Sequence, residues 1–201
     1  MSLKFQYNKT ALQALNKQLN IRLRALPTLK NKESALRMEV KMAKAETRKL
    51  AADLEEVIRG QDKNLRMWKE FDSGLVSVNE VKLGSRKIAG EKIPQLEEVV
   101  FDTKDFDVFA EPKWFLDGIE VLKELFRLVI ERDIAEKKME MLEHARKKTT
   151  QKVNLYEKVQ IPEYEDAIQK IKRYLEDEEN LAKAAQKIVK KRQQNAEEAA
   201  L

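Results

Sequence analysis

The chain has 201 residues, 37% of them charged and 6% aromatic, with five glycines and four prolines. That balance excludes a single compact globule with a deep core and fits long, solvated helices. There is no cysteine, which rules out disulfides, thiolate metal sites and a cysteine nucleophile, and makes a reducing cytoplasm the expected compartment. The 40 basic and 35 acidic residues are interleaved, so the net charge of +5 reads as a charged coiled-coil surface, and nucleic acid is not an expected partner. No apolar run approaches the ~20 residues that span a bilayer, and no signal-peptide pattern opens the chain, so direct membrane insertion is not expected.

Residues 1–8 lead in, and either Asn8 or Thr10 is placed to cap a first helix. From Leu12, steps of three and four residues reach Leu15, Leu19, Arg22, Leu26, Leu29, Glu33, Leu36, Val40, Ala43, Thr47, Leu50, Leu54, Val57, Gln61, Asn64, Trp68 and Phe71. Most of these are apolar, while the positions between them are rich in Lys, Glu, Arg, Gln and Asn. A 3.5-residue repeat held this long keeps a narrow seam on one side of a supercoiled helix. Such a seam needs a partner of similar length, roughly 90 Å at 1.5 Å per residue. Pro27 lies inside the seam and is expected to bend the helix without ending it, because the heptads continue in phase beyond it. Gly60 is a second soft point. The helix is expected to run to about Asp72, which makes 1–72 the first segment.

Between 73 and 117 the 3.5-residue period disappears. Four of the five glycines (Gly74, Gly84, Gly90, Gly118) and two of the four prolines (Pro94, Pro112) cluster in or beside this stretch. Val76, Val78, Val81, Leu83 and Ile88, then Ile93, Leu96, Val99, Val100 and Phe101, form short β-branched runs on either side of Gly90. A β-hairpin inset between two helices is the simplest reading. Thr103 to Phe115, acidic and aromatic, reads as a returning loop.

The second helix is expected from about Leu116 to Gly118 and carries 118–201. Its seam runs Val121, Leu125, Leu128, Arg132, Ala135, Met139, Leu142, Arg146, Thr149, Val153, Tyr156. A second seam follows at Ile161, Tyr164, Ile168, Ile171, Leu175, Glu178, Ala182, Ala185, Val189. The two are one residue out of phase, and Pro162 sits at the shift, so a local change of winding or a kink is expected there. Antiparallel pairing puts Phe71 near Ile119 and Leu12 near Glu178. The chain beyond about 183 then has no partner and projects as a single-helix tip of ~27 Å. Ile119, Val121, Leu122, Leu125, Phe126, Leu128, Val129 and Ile130 are too apolar for a two-stranded seam. Part of that surface is expected to pack under the hairpin, and any remainder to dock another subunit. The fold class is therefore mainly α, a long antiparallel two-helix coiled coil with a short β-hairpin inset.

The sequence offers little for chemistry. It contains neither a phosphate-binding G-x-x-x-x-G-K-[ST] loop nor a G-x-G-x-x-G turn, and its single histidine, His144, lies off the seam. The acids Glu176 to Glu179 read as a solvated helix face, and Glu97 and Glu98 as surface or interface residues. Trp68 and Trp114 read as packing residues near the hairpin end. The basic run Lys187 to Arg192 lies on the tip, where it suits its own helix dipole, an acidic bearing surface or nucleic acid. No catalytic residue, metal or cofactor is expected.

Three patches resemble one family. Asn8-Lys9-Thr10-Ala11-Leu12 with Leu29-Lys30-Asn31-Lys32-Glu33-Ser34-Ala35-Leu36 is similar to the N-terminal helix of the D subunit of V-type (vacuolar and archaeal-type) ATPases, in a prokaryotic form. Lys87-Ile88-Ala89-Gly90-Glu91-Lys92-Ile93-Pro94-Gln95-Leu96-Glu97 resembles that family's hairpin. Thr149-Thr150-Gln151-Lys152-Val153-Asn154-Leu155-Tyr156-Glu157-Lys158-Val159-Gln160-Ile161-Pro162 resembles its second-helix motif, in which Val-Asn-x-x-Glu precedes Ile-Pro. The resemblance implies a non-catalytic central-stalk shaft that transmits torque between a catalytic hexamer and an ion-translocating ring, peripheral to the membrane. Its implied partners are the A and B subunits around the tip, the F subunit near the hairpin, and the socket subunit (C, or d) at the foot. By the same mapping Leu175, Ala182, Ala185 and Val189 belong to the tip, and Ile88, Gly90, Ile93, Pro94, Leu96 and Phe126 to the hairpin and foot. A prefoldin-like coiled-coil chaperone shares the helix, hairpin, helix layout and is the alternative; it would assemble into a homo-hexamer.

Overall fold

Asn8 opens the first helix: its side-chain oxygen accepts the backbone N–H of Ala11 at 2.7 Å, satisfying one of the donors a helix N-terminus leaves free. In this computed structural model, which describes residues 4–105 and 112–198, α1 then spans Lys9–Gly60 without a break at Pro27. Every seam position from Leu12 to Phe71 is buried or half-buried except Asn64, which is exposed. The expectation that this helix continues to Asp72 is corrected. It stops at Gly60 and gives way to a 3-10 turn, Asp62–Asn64, and a four-residue helix α2, Leu65–Trp68. Gly60 is a poor helix former, and the next two seam positions, Gln61 and Asn64, have little apolar surface to bury. They bond to each other instead (Asn64 Nδ2 to Gln61 Oε1, 3.2 Å), and Trp68 Nε1 also donates to Gln61 Oε1 at 3.3 Å.

The second helix begins at Trp114. It comprises α3, Trp114–Leu155, a π-helical segment, Tyr156–Gln160, and α4, Ile161–Glu198. The π segment lies where the two seams fall out of phase. Ile161 donates its backbone N–H to the carbonyl of Tyr156, five residues back. This adds the one residue that the phase shift requires. It also loosens the turn just before Pro162, whose missing N–H and bulky ring an α-helix tolerates poorly. Of the acidic loop read over Thr103 to Phe115, residues 106–111 lie outside the described residues, and Trp114 and Phe115 already belong to α3.

The chain divides into two units. The first joins the residues up to Asn31 with those from Thr150 onward. Its core is Leu15, Tyr164, Ala167, Ile168 and Ile171, with Phe5, Ala11, Leu12, Leu19 and Leu175 packed against it. Tyr7 closes this core through a ring contact of 5.0 Å with Tyr174. Arg22, a polar residue on the seam, lies over the Tyr164 ring at 4.4 Å and donates to Gln160 Oε1 at 2.7 Å. A seam charge is thereby satisfied by an aromatic face and an amide instead of standing unpaired.

The second unit, Lys32–Thr149, holds the hairpin. β1, Val76–Ile88, pairs antiparallel with β2, Glu91–Thr103, in a two-stranded sheet. Ala89 and Gly90 both have positive φ, 49° and 86°, as a two-residue I′ turn demands. Register shifts fall between Val78 and Glu80 and between Lys82 and Leu83. Asn79 is the extra residue of the first and Glu97 that of the second, one on each strand, so the strands stay matched at the turn. Two cores hold the unit together. Phe71, Leu75, Val76, Phe115 and Ile119 form one at the base of the hairpin, with Trp68, Phe101, Trp114, Leu122 and Phe126 around them. Leu36, Val40, Ala43, Ile93, Leu142 and Ala145 form the other, and Ile88, Ala89 and Met139 pack on it. The hairpin thus lies back along the helix pair, with its turn over Leu36 and Leu142.

Candidate partner-binding surfaces

Within the second unit, β2 lies against the helices along its middle, while β1 touches them at its two ends, through Val76 and Ile88. Pro94, Gln95, Leu96, Glu97, Glu98 and Val99 line a groove of about 690 Å³ whose far wall includes Glu46, Leu50, Arg127 and Ala135. β1 is mostly exposed and carries Lys82, Arg86 and Lys87, charges that discourage edge-to-edge pairing with another sheet. Lys82 reaches Glu98 across the strands at 2.7 Å. That hydrogen bond, then the ammonium charge, holds the Glu98 carboxyl below the usual carboxylate range. Glu97 instead folds over Gly84, where any side chain would collide with its carboxylate. The two adjacent acids therefore do different jobs, and no paired-carboxylate site forms.

The hairpin residues expected at an interface divide by burial. Ile93 is only 2% exposed, so its side chain anchors the strand to Leu36 and Leu142. Ile88, Pro94 and Leu96 are half-buried along the groove, and Gly90 is exposed at the turn. Phe126 is half-buried against the aromatic base. Of the apolar stretch from Ile119 to Ile130, Ile119 is buried, and Val121, Leu122, Leu125, Phe126, Leu128, Val129 and Ile130 are half-buried. Leu83, on the outer strand, is 56% exposed; in the sequence it looks like any other strand residue.

In the first unit the tip residues also divide. Leu175 packs on the Leu15 core, and no residue from Glu176 to Asn195 is even partly buried. Ala182, Ala185 and Val189 are exposed, as is every residue from Glu176 to Asn195. Leu181 and Ile188 are 72% and 55% exposed. A seam count misses them because they lie beside the seam positions, yet their i, i+7 spacing makes a stripe of their own. Among the described residues no group of His, Cys, Asp and Glu could hold a metal ion, and no helix is long and apolar enough to cross a membrane.

The amino-acid sequence has counterparts among known proteins. The model of a family described as the ATP synthase D subunit matches residues 11–191. The chain is similar to the V-type ATP synthase D subunit of Borreliella burgdorferi, 31% identical over 193 residues, which cover 93% of this chain and 94% of that one. It is 26% identical to the protein of the same name from Chlamydia muridarum, over 98% of this chain and 100% of the relative. For the Thermotoga neapolitana protein the identity is 25%, over 83% and 87% of the two chains.

Proposed function

The chain belongs to the ATP synthase D subunit family, and on that premise we propose that it is the central-stalk rotor shaft of a V-type rotary ATPase. It carries torque and no catalysis. The observation that supports this is the bare end of α4: beyond Leu175 a helix continues to Glu198 with every side chain from Glu176 to Asn195 exposed. A lone helix with Leu181, Ile188 and Val189 in water buries nothing of its own, and gains stability only inside a surrounding partner. A hexamer of A and B subunits closes around Ala182, Ala185 and Val189, making contacts of low specificity suited to a bearing. Leu175 sets the height at which two helices become one. The F subunit and the socket subunit (C, or d) take the hairpin side, where Ile88, Gly90, Pro94, Leu96 and Phe126 present the contact surface and Ile93 holds the strand in place. The protein is cytoplasmic and reaches the membrane only through its complex. ATP binds the hexamer, and this chain needs no cofactor.

The test is co-expression with the host's A, B and F subunits. One copy of the chain per complex is expected, with ATP turnover altered by Ala182→Glu plus Val189→Glu. A chain that ignores those subunits and forms a homo-hexamer would sink the proposal and favour a prefoldin-like chaperone.

A further inference from the structure

We infer that, before assembly, the bare end of α4 pairs with the same segment of a second copy of this chain, antiparallel, about a two-fold axis at Ala185. The sequence of the tip is symmetric about that residue. Its apolar side chains fall three and four residues to either side, Ala182 and Leu181 before it, Ile188 and Val189 after it. At about 100° per residue these five share one face of the helix, an arc of about 120°. On the same face Glu178 stands seven residues before Ala185 and Arg192 seven residues after it. Leu181, Ile188 and Val189 are 72%, 55% and 53% exposed, so the face has no cover within the chain.

A two-fold interface between identical chains must be complementary to itself, and this face is. Turning a second copy end for end about Ala185 lays Leu181 against Val189 of the second copy and Ala182 against its Ile188. The alanines at the centre let the two helices approach closely. At each end Glu178 meets Arg192 of the second copy, and on the flank Asp177 comes to its Lys191. Among the described residues none of these four charges has an ion partner; within the tip, Lys183 and Glu179 are paired along their own helix at 2.7 Å.

The order of the charges decides both the occupant and its direction. A parallel second copy would set Glu178 against Glu178 and Arg192 against Arg192. A nucleic acid or an anionic membrane drawn to Lys187–Arg192 would also meet the acids Glu176–Glu179, about three turns away on the same helix. An unrelated partner does not call for opposite charges at equal distances from one alanine. The paired span from Glu178 to Arg192 is ~21 Å long and stops short of Tyr174, where Tyr7 packs on α4, so the lead-in does not obstruct it. A contact this short falls at the small, transient end of protein interfaces, and a partner that encloses the tip can displace it. The inference concerns the free chain and does not depend on the rotor reading.

The test is sedimentation velocity on the full chain, expressed without other subunits, from micromolar to millimolar concentration. A reversible monomer–dimer equilibrium is expected. Glu178→Arg or Arg192→Glu should weaken it about tenfold, because each reversal breaks both symmetry-related contacts, and the two together in one chain should restore it. Both side chains are exposed, so helix content by circular dichroism should not move. The chain has no cysteine, so disulfide formation reads the direction of pairing. Leu181→Cys mixed with Val189→Cys should cross-link, and Leu181→Cys on its own should not, because its two copies lie ~12 Å apart along the axis. A monomer at every concentration, a dimer indifferent to the reversals, a double variant that fails to recover, or cross-linking of Leu181→Cys to itself would each overturn the inference. Assembly with the A and B subunits, scored separately, reports on the rotor reading alone.

Discussion

The backbone N–H of Ile161 bonds to the carbonyl of Tyr156, and this one i to i+5 contact reconciles two apolar seams that differ by one residue. Deleting Val159 would let the steps of three and four run unbroken, and the segment should wind as ordinary α-helix. Pro162 would then meet an intact helical turn, at a cost of about 3 kcal/mol. The deletion alone is therefore expected to destabilise, and its combination with Pro162→Ala to recover. Pro162→Ala by itself should keep the π turn, because both seams still need the extra residue. Crystal structures of the three variants would decide. A regular α-helix in Pro162→Ala would mean that the proline, not the seam, imposes the turn.

Gly118 is in a helix, where alanine ordinarily stabilises by about 1 kcal/mol. Here a Cβ would stand 2.8 Å from Phe71 Cε2 and 3.3 Å from Trp114 Cζ3. Phe71 has little room to swing away, since Trp68, Trp114 and Phe115 pack on its ring with centroids 5.2, 5.6 and 5.1 Å away. Overpacking costs about 1–3 kcal/mol, which outweighs the propensity gain. Gly118→Ala is expected to lower the urea midpoint by the equivalent of roughly 1 kcal/mol with an unchanged m value. A higher midpoint would show that the aromatic base is looser than its packing indicates.

Ile93→Ala removes the buried anchor of the hairpin. The loss of a core isoleucine costs about 2–5 kcal/mol, and its effect should stay local, because Leu36 and Leu142 still meet across the helices. Hydrogen exchange is expected to quicken through β1 and β2 while α1 keeps its protection. Equal loss along both helices would mean that the hairpin and the helix pair unfold as one.

The carboxyl of Glu143 is held below the usual carboxylate range, first by a hydrogen bond from Lys44, then by its charge, with help from Lys147 and Arg146. A folded value below the unfolded one makes the contribution to stability fully present above the ordinary glutamate pKa of ~4.3. It is lost as pH falls through the folded value. Lys44→Gln should raise the Glu143 titration toward the ordinary value in a carbon-detected NMR experiment. An unchanged titration would remove Lys44 as the cause.

Much of the fold is written in spacing. The steps from Leu12 to Val57 mark the buried side of the first helix, Ala89 and Gly90 the hairpin turn, and the slip between Tyr156 and Ile161 the place where the winding changes. These features are local: side-chain periodicity and backbone preference act over a few residues, and a single chain records them directly. The end of α1 is hidden from such a count because Trp68 and Phe71 keep the apolar period. They bury their rings through a short helix and a turn instead of a continuous helix.

Of the candidate surfaces, the bare tip follows from counting residues against an antiparallel partner, as does the pairing of Phe71 with Ile119; the count starts the tip near 183, while the exposed stretch already begins at Glu176. Tertiary structure decided what the apolar hairpin residues do. Ile93 and Leu83 are both branched aliphatic residues in a strand, yet one is 2% and the other 56% exposed. That difference depends on which strand lies against α1 and α3, on a bulge at Glu97 and on the direction in which the turn folds back. All three are set by contacts between residues far apart in the chain, which no spacing within one strand encodes.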